Sequence, residues 1–438
     1  MLGHPAPTTW GSAPAGSSPL GTAIFICKQP GVIQFSLMLE LEEALARILA
    51  AVPPPTAESI PLSDAAGRVL AERVQSPIDL PIFDNSAMDG YAVRASDVAS
   101  AKPESPARLR LAGKAAAGEA FAGEVAAGLC VRLFTGSPLP HGADAVVMQE
   151  DTRVEPNAAG EVLFLSPARP GENVRLRGED MKRGAPLAEA GDILTLGRIS
   201  LMAAGGLRRV SVGRQPVVGL LAAGSELKEP GQPLAPGQIY ESNRIALAAL
   251  VRRAGAFPKV FPLVADMLTA TRRALAAAFS RCDAVVTSGG VSVGEMDFLK
   301  RAFEEVGGAL EFWKVAIRPG RPFVFGRCRE KLWFGLPGNP VSAFVTYLLL
   351  VRPALLRWQG ATDVSLPAQL GVLAESLANH DARRHFMRVK VDAAGRIRSA
   401  GAQASNVLSS LAAANGLVDM PAHTTFAPGT AMPVMRWD

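Results

Sequence analysis

Residues 283–306 read DAVVTSGGVSVGEMDFLKRAFEEV, and the predicted fold class follows from their pattern. A short apolar run, Asp283–Thr287, leads into a glycine-rich loop at Ser288–Asp297, and a helical pattern then continues to Val306. A buried strand, a tight loop and a helix of about three turns form the repeating unit of an α/β sheet.

The same unit recurs on both sides of this stretch. The other predicted strands are Val217–Ala222, Val260–Val264, Phe312–Ile317 and Leu332–Leu336, and the predicted helices are Asn243–Ala254, Leu268–Phe279, Asp297–Val306 and Val341–Leu356. Because strands and helices alternate, the region from Pro216 onwards is predicted to form a parallel, doubly wound sheet.

The flanking segments have a different texture. From about Pro61 to Arg208, short apolar runs are separated by Gly, Pro and Asp clusters, which predicts small β modules that end in a short helix at Ile199–Gly206. Short strand-like runs return after Gly360 and predict a small C-terminal β domain. The segment before Met38 is rich in Gly, Pro, Ser and Thr and is predicted to be a disordered extension.

Composition excludes several classes of protein. Of 438 residues, 48% are hydrophobic, so the chain can build about three domains and is not a disordered protein. The 45 basic and 40 acidic residues are dispersed, which argues against a nucleic-acid partner. The four cysteines form no CxxC pair, so neither a disulfide framework nor a structural metal site is indicated. No apolar run is long enough to predict a membrane span, and a reducing cytoplasm fits.

Three loops follow predicted strands of the α/β region, where open sheets bind ligands. They are Ala223–Glu226, Ser288–Asp297 and Leu336–Pro340. The glycines of the second loop allow backbone N–H groups to surround an anion. Neither GxxxxGK[ST] nor GxGxxG occurs at these turns, which disfavours ordinary NTPase and dinucleotide redox chemistry. A purely structural tight turn is the alternative interpretation.

Charged residues near these loops offer further chemistry. Lys314, Arg318 and Arg321 place three cations within eight residues and could bind an oxyanion. A solvated basic loop is the usual alternative, but the position directly after a predicted strand favours contact with a ligand. The acidic candidates could each be a cap, a turn residue or a surface charge, but together they would suit Mg²⁺ beside a phosphate. They are Asp89, Asp180, Glu226, Asp266 and Asp297.

Three long motifs in this order resemble one known family. Phe83–Ala92, Ser288–Asp297 and Leu336–Ala343 closely resemble the molybdopterin molybdenumtransferases (MoeA), a family also found as the C-terminal domain of gephyrin. The resemblance runs from about Met38 to the C-terminus. It implies the last step of molybdenum cofactor synthesis, in which molybdate is inserted into adenylylated molybdopterin and AMP is released with the help of Mg²⁺.

The resemblance also implies an architecture. The fold class is a multidomain α/β protein whose central doubly wound, molybdopterin-binding domain is flanked by β-rich N-terminal modules and a C-terminal β barrel. The expected parts are an extension at 1–37, a discontinuous domain I at 38–75 and 162–208, domain II at 76–161, domain III at 209–358 and domain IV at 359–438. The family is an elongated homodimer whose active cleft is shared between subunits.

Family positions carry over to named residues of this chain. The residues expected to act in catalysis are Asp89, Asp180, Glu226, Asp266, Asp297, Lys314 and Arg318. The residues expected to bind the pterin substrate, AMP or molybdate are Thr135, Arg175, Ser288, Gly289, Gly290, Ser292, Gly294, Arg321, Pro337, Gly338, Asn339, Pro340, Arg383 and Ser405. Glu226, Asp266 and Asp297 are the hypothetical Mg²⁺ ligands. Ser225, Met267 and Asn406 depart from the residues that the family commonly carries at those positions.

Two other functions compete with this interpretation. A pterin adenylyltransferase has a fold like the α/β domain, but it usually lacks the flanking β domains and its glycine loop differs. A binding scaffold is the second rival, because gephyrin shows that this architecture can anchor partners. Composition alone would leave a generic nucleotide-sugar or cofactor enzyme. Expected partners are a second copy of the chain, the molybdopterin adenylyltransferase and proteins that mature molybdoenzymes, in the cytoplasm.

Overall fold

The computed structural model describes residues 38–116, 118–155, 160–290 and 296–437, with all of their side chains except those of Met296 and Asp297. Within these residues the chain builds β-rich N-terminal modules, a central α/β sheet and a C-terminal barrel. The predicted fold class is therefore confirmed. The exact domain boundaries stay a prediction.

The N-terminal part consists mainly of short strands. In chain order its elements are α1 (Leu41–Ala51), β1 (Ala57–Pro61), β2 (Val74–Gln75), β3 (Asn85–Ser86), β4 (Gly90–Val93), α2 (Ala95–Val98), β5 (Ala107–Ala115), β6 (Leu129–Leu133), β7 (Ala145–Met148), β8 (Thr152–Arg153), β9 (Glu161–Phe164), β10 (Val174–Arg175), β11 (Pro186–Ala188), α3 (Leu196–Ala204) and β12 (Arg209–Gly213).

The first three strands pair with the last three strands of this part, and a separate sheet is inserted between them. β1 pairs antiparallel with β12, β2 with β11 and β3 with β10. Between these two groups in the sequence, β4–β9 form a six-stranded sheet in the order β7-β4-β6-β5-β9-β8. Its buried face includes Val93, Cys130 and Phe164, and Tyr91 packs edge-on against Phe164 with ring centroids 5.9 Å apart. This sheet therefore has its own hydrophobic core.

The central region carries the alternating elements. They are β13 (Val217–Ala222), β14 (Leu227–Lys228), β15 (Ile239–Tyr240), α4 (Asn243–Arg253), β16 (Phe257–Val260), α5 (Leu268–Arg281), β17 (Ala284–Ser288), α6 (Met296–Glu305), β18 (Ala309–Trp313), β19 (Ile317–Arg318), β20 (Val324–Cys328), β21 (Lys331–Leu336), α7 (Pro340–Thr346), a π-helical turn (Tyr347–Val351) and α8 (Arg352–Trp358). Six of these strands form one sheet in the order β16-β13-β17-β21-β20-β18.

Helices cover both faces of this sheet. Val286 and Phe334 point into one core, which they share with α4, α7 and α8, whereas Val285 and Trp333 point into the opposite core with α5 and α6. This alternation follows from the two-residue period of a strand. The predicted doubly wound arrangement is confirmed.

Three details differ from the sequence-based expectations. The sheet is parallel only from β16 to β21, because β20 and β18 are antiparallel strands that continue it. The strand expected at Val260–Val264 lies instead at 257–260, where Pro258 and Lys259 are tolerated because β16 is an edge strand. The run Phe312–Ile317 is two strands, because Lys314 takes a positive φ of 78° and ends β18.

The longest apolar helix lies in the core. Pro340–Trp358 is 19 residues long and, by length and composition, apolar enough to cross a membrane, but 83% of that window is buried inside the fold. Val341, Leu350 and Leu355 belong to the same core as Ala44 and Ile48 of α1. Burial against the sheet and α1 accounts for its apolar character, as in the core helix of a globular domain.

The C-terminal part closes into a barrel. Its elements are β22 (Ala368–Leu373), β23 (Leu377–Asn379), β24 (Arg384–Val391), β25 (Arg396–Ser399), α9 (Leu408–Ala413), β26 (Gly416–Met420), β27 (Thr424–Phe426) and β28 (Ala431–Arg436). Strand β24 pairs with β25, β25 with β22, β22 with β28, β28 with β26 and β26 again with β24. The predicted barrel is confirmed. The short strand β19 pairs with β24 and so ties the barrel to the central region.

Candidate active site

A cavity of about 570 Å³ lies beyond the carboxyl ends of β13, β17 and β21. This is the edge at which open α/β sheets bind ligands. Residues from all three predicted loops line it. The predicted site residues among its lining are Glu226, Ser288, Gly289, Gly290, Pro337, Gly338, Asn339 and Pro340.

Hydrogen bonds join the first loop to the loop that carries Asp266. The backbone N–H of Ser225 donates to Asp266 Oδ2 at 2.9 Å, and the N–H of Asp266 donates back to Ser225 Oγ at 3.4 Å. Glu226, the next residue, is exposed and lines the cavity. Glu226 and Asp266 therefore belong to two loops that are hydrogen-bonded together, but only Glu226 is among the residues that line the cavity.

The second loop requires glycine for its conformation. Gly289 and Gly290 have φ values of +86° and +69°, and a Cβ on Gly289 would lie 2.7 Å from the carbonyl oxygen of Ala223. The N–H of Gly289 donates to Leu336 O at 3.2 Å, so it holds the second loop to β21 and does not face a ligand. Ser292 and Gly294 lie outside the described residues.

The third loop joins the cavity to the barrel. Asn339 Nδ2 donates to Ser405 Oγ at 2.9 Å, and the N–H of Val341 donates to Ser405 O at 3.2 Å. Pro340 stands at the first position of α7, where its missing N–H costs nothing. Asn406 and Leu408 follow Ser405 and also line the cavity, so the C-terminal domain forms part of its wall.

Asn243, which the sequence analysis did not single out, lines the same cavity. Its Nδ2 lies 2.6 Å from Ser288 Oγ and 2.8 Å from Gly338 O. The preceding Glu241 and the following Arg244 are both 3% exposed and hydrogen-bond to each other. The signal in the sequence was a polar Glu-Ser-Asn-Arg run at the start of a helix, but such a run is also an ordinary helix start.

The basic residues that were predicted as a cluster have different surroundings. Lys314 Nζ lies 3.9 Å from the centre of the Trp313 ring. Arg321 accepts a hydrogen bond from the N–H of Val315 through its carbonyl oxygen, and the next residue, Pro322, lines the cavity. Arg318 Nη1 donates to Asp381 Oδ2 at 3.3 Å. Arg318 thus lies on β19, whereas Lys314 precedes this strand and Arg321 follows it, and the side chains of Lys314 and Arg318 make separate contacts.

Arg383 converges with Arg318 on the same carboxylate. Its Nε and Nη2 donate to the two oxygens of Asp381 at 3.0 and 2.9 Å. The hydrogen bonds from Arg383 are the main reason that the pKa of Asp381 is lowered to about 2. Two guanidinium groups are therefore held beside one ionised carboxylate.

The remaining predicted residues lie in the N-terminal modules. Asp89 Oδ1 accepts from the N–H of Thr135 at 2.7 Å and from its hydroxyl at 2.9 Å, and these two bonds lower the pKa of Asp89. Arg175 lies on β10 opposite Asn85, and the N–H of exposed Asp180 donates to Leu80 O at 3.1 Å. None of Asp89, Thr135, Arg175 and Asp180 is among the residues that line the cavity.

The described side chains contain no cluster of three or more His, Cys, Asp or Glu residues that could hold a metal ion. The side chain of Asp297, at the start of α6, lies outside that set. Glu226 and Asp266 do offer the type of donor that a hard cation favours. Their donors are carboxylate oxygens, and Asp266 uses only Oδ2 in its bond to Ser225.

Three family regions match successive parts of the chain. Residues 39–206 match the MoeA N-terminal region (domain I and II), residues 219–357 match the probable molybdopterin binding domain, and residues 371–437 match the MoeA C-terminal region (domain IV). Together these matches cover most of the chain.

Individual relatives agree with the family matches. The chain is 40% identical to the molybdopterin molybdenumtransferase of Haemophilus influenzae, over 86% of this chain and 93% of that protein. It is also 40% identical to molybdopterin molybdenumtransferase 2 of Mycobacterium tuberculosis, over 91% of this chain and 98% of the relative. A crystal structure of the molybdopterin biosynthesis moeA protein from Pyrococcus horikoshii OT3 superposes with a TM-score of 0.78 at 30% identity, covering 92% of this chain and all of the other.

Proposed function

Since the chain belongs to the molybdopterin molybdenumtransferase (MoeA) family, we propose that it inserts molybdate into adenylylated molybdopterin and releases AMP in molybdenum cofactor biosynthesis. The observation that carries this proposal is the cavity beyond β13, β17 and β21, which gathers the three predicted loops and a wall from the barrel. Its volume of about 570 Å³ suits a small ligand such as a pterin nucleotide.

Mg²⁺ would be held by Glu226 and Asp266, with Asp297 as the further ligand that the resemblance implies. Both described carboxylates are exposed, and their loops are tied together by the Ser225–Asp266 bonds. Hard cations favour such oxygen donors together with substrate phosphates. When bound, Mg²⁺ would neutralise phosphate charge on the adenylylated pterin.

Molybdate would be bound by cations that the resemblance implies, although none of them is among the residues that line the cavity of this chain. Lys314, Arg318 and Arg383 are the candidates, and Arg318 and Arg383 already share one anionic partner in Asp381. Guanidinium groups offer forked donors that match an oxyanion. Catalysis by this chain would consist mainly of bringing molybdate to the dithiolene and stabilising charge, which is a matter of position and electrostatics.

A homodimer would give the N-terminal residues a role. Asp89, Thr135, Arg175 and Asp180 do not line the cavity, although the resemblance implies that they act in the reaction. We infer that they reach the cavity of the partner subunit, in a cleft shared by two chains. Upstream, a molybdopterin adenylyltransferase would supply the substrate in the cytoplasm, and proteins that mature molybdoenzymes would accept the product.

The test is an assay with purified components. The chain is incubated with adenylylated molybdopterin, Mg²⁺ and molybdate, and AMP is measured together with active cofactor, detected by reconstitution of a cofactor-free molybdoenzyme. Molybdate-dependent formation of both products is the expected result. Formation of the adenylate from molybdopterin and ATP by this chain alone would favour an adenylyltransferase. Dimerisation without either reaction would favour a scaffold.

A further inference from the structure

Asn243 joins two loops of the cavity with a single amide group. Its Nδ2 approaches Ser288 Oγ at 2.6 Å and Gly338 O at 2.8 Å, although the partners are 45 and 95 residues away in sequence. A backbone carbonyl can only accept a hydrogen bond, so the atom facing Gly338 O must be the nitrogen. This assigns the amide orientation, and both Nδ2 hydrogens are then donated to the protein.

The contact also determines what Ser288 can do. Ser288 is 2% exposed, and its Oγ accepts the hydrogen bond from Asn243. The hydroxyl hydrogen is left to donate, and its protein acceptor is Pro337 O at 3.5 Å, the outer limit for such a bond. An oxyanion in the cavity would be a stronger acceptor than this distant carbonyl. Asn243 therefore leaves Ser288 as a donor available to a ligand.

The position of Asn243 is itself held firmly. Arg244 donates from its backbone N–H and from Nε to the two oxygens of Glu241, at 2.8 and 2.9 Å, and from Nη2 to Glu229 at 2.8 Å. These groups fix the first turn of α4, which begins at Asn243 with Ser242 as its N-cap. Asn243 is not the cap residue, so helix capping does not explain its side chain.

We propose that Asn243 is a positioning residue, which holds Ser288 and Gly338 so that the Ser288 hydroxyl donates to an oxyanion of the adenylylated pterin. This inference rests on the proposed function. It assigns Asn243 no contact with the reacting atoms, because its donors are already used by the protein.

A double-mutant cycle tests the proposal. Asn243→Ala, Ser288→Ala and the double variant are compared for kcat and KM in AMP release, and for AMP affinity by calorimetry. Each single change is expected to lower kcat/KM by about 10- to 100-fold, the usual range for a hydrogen bond to a charged group. The double variant is expected to match the more impaired single variant within about twofold, because Asn243 acts through Ser288.

The controls separate this role from a structural one. Arg252→Ala, an exposed change in the last turn of the same helix, should retain wild-type kinetics. Asn243→Asp should be as impaired as Asn243→Ala, because a carboxylate cannot donate to Gly338 O. Wild-type kinetics in Asn243→Ala, or losses that multiply in the double variant, would overturn the proposal.

AMP affinity distinguishes the two proposals. If the wild type binds AMP but releases none from the adenylylated pterin, the proposed function is wrong. The role of Asn243 is then still tested by comparing the AMP affinities of the wild type, the two single variants and the double variant. A wild type that does not bind AMP overturns the positioning role as well. Thermal melts of each variant show that the measurements are made on folded protein.

Discussion

Asn339 of the α/β domain donates a 2.9 Å hydrogen bond to the hydroxyl of Ser405 in the C-terminal domain. The bond lies where the third loop meets the barrel, and the residues after Ser405 continue along the cavity wall. A second contact, from the N–H of Val341 to Ser405 O, uses only backbone atoms and survives any change of the Ser405 side chain.

Ser405→Ala is therefore expected to impair the site more than the fold. It removes one exposed side-chain bond, whose loss costs about 1 kcal/mol of unfolding free energy. We expect kcat/KM for AMP release to fall about tenfold, with the melting temperature nearly unchanged. Ser409→Ala, an exposed serine on α9, is the matched control. Equal activity of the two variants would show that the Ser405 hydroxyl is dispensable.

Gly289→Ala should disrupt the second loop. The residue has a φ of +86°, and the new Cβ would lie 2.7 Å from Ala223 O, which is backbone and cannot rotate away. We expect a loss of about 1–3 kcal/mol in the free energy of unfolding, measured by urea denaturation, together with loss of AMP affinity. Gly197→Ala in α3 has open space around its Cβ and should stabilise the chain by about 0.5–1 kcal/mol. Similar stability changes in both variants would contradict this account.

Thr135 controls the ionisation of Asp89. The N–H of Thr135, and secondarily its hydroxyl, lower the pKa of Asp89. Thr135→Val keeps the N–H and removes the hydroxyl, so the pKa of Asp89 should rise, and Asp89 should become protonated at a higher pH than in the wild type. Carbon NMR titration of the Asp89 carboxyl measures this directly. Thr152→Val in the same module is the control, and an unchanged titration in Thr135→Val would refute the assignment.

His385 makes stability depend on pH. It is 2% exposed, neither ring nitrogen has a hydrogen-bond partner among the described residues, and burial, with smaller contributions from Arg318 and Arg388, lowers its pKa to about 4. Asp381 opposes this shift and Arg383 adds to it. The His385 side chain therefore binds a proton more readily in the unfolded chain than in the folded one. As the pH falls from about 6.5 to about 4, this difference lowers the free energy of unfolding by on the order of 3 kcal/mol.

His385→Gln should remove that component. The variant is expected to show a flatter dependence of unfolding free energy on pH between about 6.5 and 4, measured by urea denaturation at several pH values. His380→Gln, at an exposed position, should keep the wild-type dependence. If His385→Gln also kept the wild-type slope, His385 would not be the titrating group.

The central sheet could be predicted where strands are buried on both faces. Apolar runs such as Val217–Ala222 are unbroken because both faces meet helices, so β13, β17 and β21 lie within a residue of their predicted bounds. The edge strand β16 contains Pro258 and Lys259, residues that avoid edge-to-edge pairing and also hide the strand from a hydropathy pattern. Strand β20 was not predicted, because it follows a proline-rich loop and lacks a longer apolar run.

The candidate site, too, could be predicted only in part. The three loops could be predicted to meet, because the carboxyl ends of parallel strands lie at one edge of a sheet. The role of Asn243 could not, because it depends on Ser288 and Gly338 coming within hydrogen-bond distance of one side chain. Nor does spacing in the sequence reveal that Arg318 and Arg383 share Asp381, since that contact needs the barrel to dock through β19 and β24.

In the proposed function, this cavity, with Glu226 in its lining, carries out molybdate-dependent release of AMP. The most direct measurement is a single-turnover assay of AMP release from adenylylated molybdopterin, with and without molybdate, for the wild type, Glu226→Gln and Glu72→Gln, an exposed change in the N-terminal module. We predict that molybdate stimulates release by the wild type and by Glu72→Gln, and that Glu226→Gln is about 10- to 100-fold slower. AMP release at the same rate with and without molybdate, or release by Glu226→Gln as fast as by the wild type, would contradict the proposed function.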